Sequence, residues 1–175
     1  MNETLNNSHG IVSLTTTHLN KLMWSHYGDS HKGFCIEFEI DDSNPAFKGK
    51  LYKVKYEEEP MIFNQEIMSS PYKERNDFMF KVITTKDKVW EYEDEYRLIL
   101  DFTGITPEDS TFIPPLYTVI LRPKYVFKII FGYMCDQKYI NDVKSWALKC
   151  GATHIELFKI TLCPEKYELT LKDIA

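Results

Sequence analysis

The stretch that most constrains this chain runs from Leu22 to Ile40. Phe34, Ile36, Phe38 and Ile40 alternate with Cys35, Glu37 and Glu39, the period of two that a half-buried strand requires. Just ahead, Leu19, Leu22, Met23, His26 and Tyr27 recur at helical spacing. A helix over His18–Tyr27 is therefore expected, with His26 on its buried stripe. Gly28 is the expected left-handed cap at its end, and Thr15 to Thr17 offer capping hydroxyls at its start.

Alternation resumes at Leu51–Tyr56, where Tyr52, Val54 and Tyr56 oppose Lys53 and Lys55. The simple inference is an antiparallel pair with Phe34–Ile40, closed by the Asp41–Lys50 loop. That pairing sets Glu37 and Glu39 across from Lys53 and Lys55. Ser69 or Ser70 with Pro71 marks a helix start, and Tyr72, Arg75, Phe78, Met79, Val82 and Ile83 share one face of the helix. Thr84 to Lys88 is a polar link. From Trp90 the period is near two: Trp90, Tyr92, Tyr96, Leu98 and Leu100 lie on one side, and Glu91, Glu93, Glu95 and Arg97 on the other. The start of that run reads equally as helix, while Arg97–Phe102 reads as strand.

Thr103–Pro115 is a loop by its Gly104, Pro107, Pro114 and Pro115. Leu116–Leu121 and Val126–Phe131 are strand runs. Asp136 caps a helix that buries Ile140, Val143, Ala147 and Cys150, with Gly151 at its end. His154–Leu162 and Tyr167–Leu171 close the chain as strands, and Ile11–Leu14 opens it after a frayed Met1–Gly10. The class is α+β: a mixed, mainly antiparallel sheet with about three helices in a single domain, 1–175.

Eleven Tyr and eleven Phe favour β structure and well-filled cores. A net charge of −5 without a basic tail or stripe argues against a phosphate-backbone binder, so nucleic acid is not an expected partner. No apolar run reaches membrane-spanning length and Met1–Gly10 is polar, so no membrane association and a cytoplasmic location are expected. Cys35, Cys135, Cys150 and Cys163 form no C-x-x-C and read as reduced, buried thiols. No nucleophile elbow and no phosphate-cradling glycine loop occurs. The His26–His31 spacing is not that of a helical ligand pair, so no metal is expected.

Two clusters carry candidate chemistry. His26 and His31 flank one turn and titrate near neutrality, as a base, acid or ligand must. The plainer reading is a core histidine at 26 and an exposed one at 31. Trp24 and Tyr27 are candidates to stack a planar ligand, or else pack on the sheet. In the second cluster Glu93, Asp94 and Glu95 follow Trp90 and precede Arg97. Consecutive acids repel and raise one another's pKa unless a cation compensates. A Glu–Arg pair is one reading; a carboxylate at a strand entrance, acting as base or steadying a developing cation, is the other.

At these stretches the chain resembles the bacterial and phage family of uncharacterised proteins called domain of unknown function 2971. The residues that carry the resemblance are Trp24-Ser25-His26-Tyr27, His31-Lys32-Gly33-Phe34 and Ile36-Glu37-Phe38, then Lys86, Trp90, Glu93, Glu95, Tyr96 and Arg97. Ile129-Ile130-Phe131-Gly132 also fits, and the resemblance spans about Ile11 to Leu171. Such proteins carry a further N-terminal segment, so the resemblance implies a shortened member. Their layout is similar to ADP-ribosyltransferase-like folds, an analogy of fold alone.

The analogy implies NAD as the cofactor and Glu95, or Glu93, as the late catalytic acid. His26 would orient a phosphate or ribose hydroxyl, and Trp24, Tyr27, His31, Trp90 and Arg97 would bind the ligand. The alternative is a non-catalytic interaction module, accessory to mobile-element or defence functions. It would form a homodimer through an exposed sheet edge.

Overall fold

The run Val126–Phe131 is apolar apart from Lys128, and it becomes a strand covered on both faces. The computed structural model of the chain describes residues 9–40, 50–63, 65–101 and 123–174. In chain order they form β1 (His9–Thr15), α1 (Lys21–Tyr27), β2 (Phe34–Phe38), β3 (Lys50–Lys53), β4 (Lys55–Glu57), α2 (Gln65–Ser69) and α3 (Tyr72–Ile83). Then come β5 (Thr85–Asp87), a 3₁₀ helix (Lys88–Glu93), β6 (Glu95–Asp101) and a 3₁₀ turn (Pro123–Tyr125). The chain continues with β7 (Val126–Phe131), α4 (Gln137–Lys149), β8 (Glu156–Leu162) and β9 (Leu169–Asp173). The fold is α+β, with mostly antiparallel pairing.

Two compact units divide the chain: Met1–Thr16 with Gly49–Leu116, and Thr17–Lys48 with Tyr117–Ala175. In the first, β1 and β3 flank β6, both antiparallel to it, and β4 pairs in parallel with β5. Leu98 and Leu100 are buried on β6. On the other side of that sheet, Tyr52 of β3 meets Phe80 of α3 edge-on, ring centroids 4.4 Å apart.

In the second unit the strand order is β2-β7-β8-β9. β7 and β8 are the parallel pair, and α4 is the crossover that a parallel connection needs. One face buries Ile129, Phe131 and Leu157 with Ile140 and Ala147 of α4. The other buries Ile130, Ile160 and Leu169 with Trp24 of α1. Asp136 caps α4 as expected, its carboxylate accepting from the Lys138 N–H at 2.7 Å.

Several expectations are overturned. β2 pairs with β7, not β3, because β7 offers apolar partners to its first three residues: Phe34 opposite Phe131, Cys35 opposite Ile130, Ile36 opposite Ile129. Glu37 therefore stands opposite Lys128 and accepts from its ammonium at 2.8 Å. Lys53 instead pairs with Asp94 at 2.9 Å. Leu51–Tyr56 splits at buried Val54 into β3 and β4, which serve different sheets.

The first helix starts at Lys21 with Asn20 as its cap, not a threonine. Gly28 closes it at φ −96, and the left-handed residues are Asp29, Ser30 and His31 instead. His9 and Gly10 belong to β1 rather than a frayed start. Cys150 is exposed, since it is the cap that ends α4, and all four thiols are free. The Thr103–Pro115 loop, the Leu116–Leu121 strand and most of the Asp41–Lys50 loop lie outside the described residues.

Trp24 is the apolar anchor of the sheet face opposite α4, so Trp24→Ala is expected to cost about 3–5 kcal/mol. His26→Ala, on the exposed side of the same helix, should stay within about 0.5 kcal/mol. Urea unfolding followed by far-UV circular dichroism measures both.

Candidate functional site

Glu93, Asp94 and Glu95 sit where the 3₁₀ helix meets β6, and the bend there is made by Asp94 at φ 43. A left-handed residue turns the chain sharply enough to bring the side chains on either side of it, Glu93 and Glu95, toward one ammonium. Glu93 is 2% exposed and Glu95 4%. Lys86 of β5 donates to the Glu93 carboxylate and, at 3.2 Å, to Oε2 of Glu95. Arg97 lies two residues along β6, hence on the same face as Glu95. It donates from Nε to Oε1 at 2.9 Å and from Nη2 to Oε2 at 3.3 Å.

The cluster also holds the backbone of its unit. Arg97 Nη1 donates to the Ile83 carbonyl at the end of α3, 2.6 Å away. The Tyr56 hydroxyl on β4 accepts from the Glu95 N–H at 2.8 Å. From β1, the Thr15 hydroxyl donates to the Glu93 carbonyl at 2.7 Å and Ser13 donates to the Glu95 carboxylate. Asp94 pairs outward with Lys53 and Thr16.

Burial alone would push the Glu95 carboxyl up. The hydrogen bonds from Arg97, Ser13 and Lys86 outweigh it and hold the group below its ordinary 4.5. Burial likewise pulls the Lys86 ammonium down, but the bonds to Glu93 and Glu95 leave it raised. Glu95 is thus an ionised carboxylate with both oxygens engaged. A general base needs a free lone pair, so Glu95 would act on a substrate only after shedding a cation.

The other cluster lies in the second unit. Trp24 is buried, and its indole N–H donates to the His18 carbonyl at 2.7 Å. It is core, with no open face for a planar ligand. His26 is exposed, a correction to its expected place on the buried stripe. Two residues turn a helix by about 200°, so once Trp24 takes the core side His26 points away from it. Tyr27 is also exposed, its ring 6.3 Å from that of His26.

His31 is half-buried rather than simply exposed. Its Nε2 lies 3.1 Å from the Ser25 hydroxyl and its ring meets Tyr133 edge-on at 4.9 Å. Nδ1 is buried without a hydrogen-bond partner among the described residues, and burial lowers the ring's pKa. The left-handed run Asp29–His31 is docked by backbone bonds: His31 N–H to the Trp24 carbonyl at 3.1 Å, and Met134 N–H to the His31 carbonyl at 3.1 Å. A Cβ on Gly132 would collide with that His31 carbonyl, so glycine is required there for close approach.

Of the residues singled out from the sequence, Glu93, Glu95, Trp90 and Arg97 thus come together in the first unit. Trp24, His26, Tyr27 and His31 belong to the second. Tyr56, Ser13 and Thr15 were not legible as members of the cluster, because strand register across long sequence separations brings them in. Among the described residues no group of three or more His, Cys, Asp or Glu side chains converges as metal ligands, and no helix is long and apolar enough to cross a membrane. An open depression in the second unit, lined by Leu19, Lys21, Tyr167 and Leu169 among others, includes none of the singled-out residues.

Because the folded-state pKa of Glu95 is depressed, its contribution to stability is complete above its ordinary 4.5 and is lost as pH falls through the lower folded value. Asp94, depressed by Thr16 and Lys53, adds to the same acid-side loss. Glu95→Gln is expected to lower Tm at pH 7 and to flatten the decline of Tm between about pH 5 and pH 2, relative to the wild type. Thermal melts across that range measure it.

No curated protein and no solved structure matches the chain. A family model does, over residues 23–98, a shorter stretch than Ile11 to Leu171. The matched span holds α1 from Met23 onward, the left-handed turn, β2 and the whole Glu93–Arg97 cluster with Lys86 and Trp90. Residues 23–98 are similar to the family described as Protein of unknown function (DUF2971).

Proposed function

We propose that the chain is a non-catalytic interaction module that pairs with a second copy of itself along the edge of β1 that no other described strand occupies. The supporting observation is that β1 lacks the devices that normally guard a sheet edge. Among the described residues the other edge strands carry them. β3 begins and ends in lysine, β2 is short and shifts register between Glu37 and Phe38, β9 ends in Lys172-Asp173, and β4 and β5 carry lysine and acid. β1 is seven residues long without Lys, Arg, Asp, Glu or Pro, and Ile11 and Val12 are 45% and 37% exposed.

An antiparallel pair centred on Val12 sets Ile11 against Ser13 and Gly10 against Leu14, with no like charges opposed. One strand pair buries less than the roughly 1,200 Å² of stable complexes, so the dimer is weak and concentration-dependent. The saturation of Glu95 by Arg97 and Lys86 supports the non-catalytic side of this reading.

A second reading is transfer of ADP-ribose from NAD, with Glu95 steadying the oxocarbenium-like ribose. What favours it is that two buried carboxylates meet beside the Trp90 ring at a strand entrance. It requires Glu95 to release a cation first.

Analytical ultracentrifugation between about 1 and 100 μM, a range spanning weak association, is expected to show the wild type dimerising. Val12→Lys should remain monomeric, and a wild type that is monomeric throughout overturns the pairing. Thermal shift with NAD and ADP-ribose separates the readings. No shift is expected, whereas a stabilisation that disappears in Glu95→Gln would establish the second reading.

A further inference from the structure

His31 holds the left-handed turn in place with its backbone and its ring together. Its N–H donates to the Trp24 carbonyl and its carbonyl accepts from the Met134 N–H, both at 3.1 Å. The ring touches α1 on one side and the segment that follows β7 on the other. Nε2 lies 3.1 Å from the Ser25 hydroxyl, and the Tyr133 ring is 4.9 Å away. All of these groups belong to the second unit.

The available protons assign the tautomer. A serine hydroxyl has one proton to give. That of Ser25 goes to the Lys21 carbonyl at 3.1 Å, so its oxygen accepts from His31 and Nε2 carries the ring's proton. Nδ1 is then a bare lone pair, buried without a hydrogen-bond partner among the described residues. An unused acceptor is a mild defect. A second ring proton would convert it into a buried, charged N–H with nothing to receive it, which is far more costly.

We propose that His31 is an acid-sensitive latch: the neutral ring docks the turn Asp29–His31 against the segment after β7, and protonation of the ring releases it. The latch lies in the second unit and does not depend on pairing through β1, which lies in the first.

The surroundings supply nothing to offset the added charge. On α1, the Lys21 ammonium is turned to the Tyr167 carbonyl and His26 is exposed. After β7, the Asp136 carboxylate accepts from the Lys138 N–H, and the Lys159 ammonium donates to the Cys135 carbonyl. Burial pushes the Cys135 thiol up, so it stays neutral. Tyr133 brings a ring but no acceptor to Nδ1. Asp29 and Lys32 flank the ring in the chain, and neither bonds to Nδ1.

Burial accordingly lowers the ring's pKa from its ordinary 6.5. With the folded value depressed, the docking contribution is complete above 6.5 and is lost as pH falls through the lower folded value. This loss begins above the range in which Glu95 and Asp94 titrate, since both are held below their ordinary 4.5 and 3.8. The release is also local. Three consecutive left-handed residues are uncommon for side chains larger than glycine, so the turn relaxes once undocked. The β2–β7 ladder starts beyond the turn, at Phe34 opposite Phe131.

The test is amide hydrogen exchange of the wild type and His31→Asn, corrected for the intrinsic rate, at about pH 7 and pH 5.5. Between the two, wild-type protection of the His31 and Met134 amides is expected to fall about threefold or more beyond that of Ile130 in β7. Asparagine tolerates the left-handed region and has no proton to gain in this range, so in His31→Asn the Met134 amide should follow Ile130. Nitrogen NMR of the wild-type ring above neutrality should find the proton on Nε2.

If His31→Asn does not fold, the wild-type comparison with Ile130 and the ring's tautomer decide the matter. The proposal is overturned if the two wild-type amides follow Ile130, if Met134 loses as much protection in His31→Asn, or if the neutral ring carries its proton on Nδ1.

Discussion

The first unit depends on one arrangement of charge: Glu93 and Glu95 held against Lys86 and Arg97 at the entrance to β6. Through Arg97 the cluster reaches the end of α3, through Lys86 it reaches β5, and through the Glu95 N–H it reaches Tyr56 on β4. Ser13 and Thr15 bring in β1. Such a cluster is weak evidence of net stability, since desolvating four charged groups costs about as much as their attraction returns. Its value lies in the asymmetry: breaking one partner strands a buried charge, so alternative packings of these elements are strongly disfavoured. Specification rather than stabilisation is the physical role that fits Glu93 and Glu95 as they stand.

The second unit is organised by a different constraint. β7 needs cover on both faces, and α4 supplies one while Trp24 supplies the other. Placing Trp24 there means ending α1 at Tyr27 and returning the chain to β2 within a few residues. The three left-handed residues Asp29, Ser30 and His31 accomplish that. Each is an uncommon conformation for a side chain larger than glycine, costing of order 1 kcal/mol. The backbone bonds from Met134 and to Trp24, and the bare Cα of Gly132, hold the turn in place.

The two motifs within the family match therefore have separate physical jobs. One closes a helix onto a sheet and docks a turn. The other neutralises buried charge at a strand entrance. Both place polar and aromatic residues close together, which is also what an active site looks like in sequence. Burial and saturation distinguish the cases. Trp24 is fully packed and Glu95 has both oxygens engaged, whereas Ile11 and Val12 of β1 are exposed.

Local patterns in the sequence determined much of the secondary structure. Asp136 and the spacing of Ile140 and Ala147 specify α4, and Glu95 with Arg97 at i and i+2 specifies a same-face ion pair. These follow from periods of 3.6 and 2, which act within a few residues. Tertiary structure alone decided what pairs with what. Glu37 found Lys128 rather than Lys53, Lys53 found Asp94, and Tyr56 came to cap the Glu95 amide. It also decided that Trp24, not His26, would face the core. A periodic pattern says which side of an element is apolar on average. It does not say which neighbour will cover that side, because this depends on the competing packing energies of segments distant in the chain.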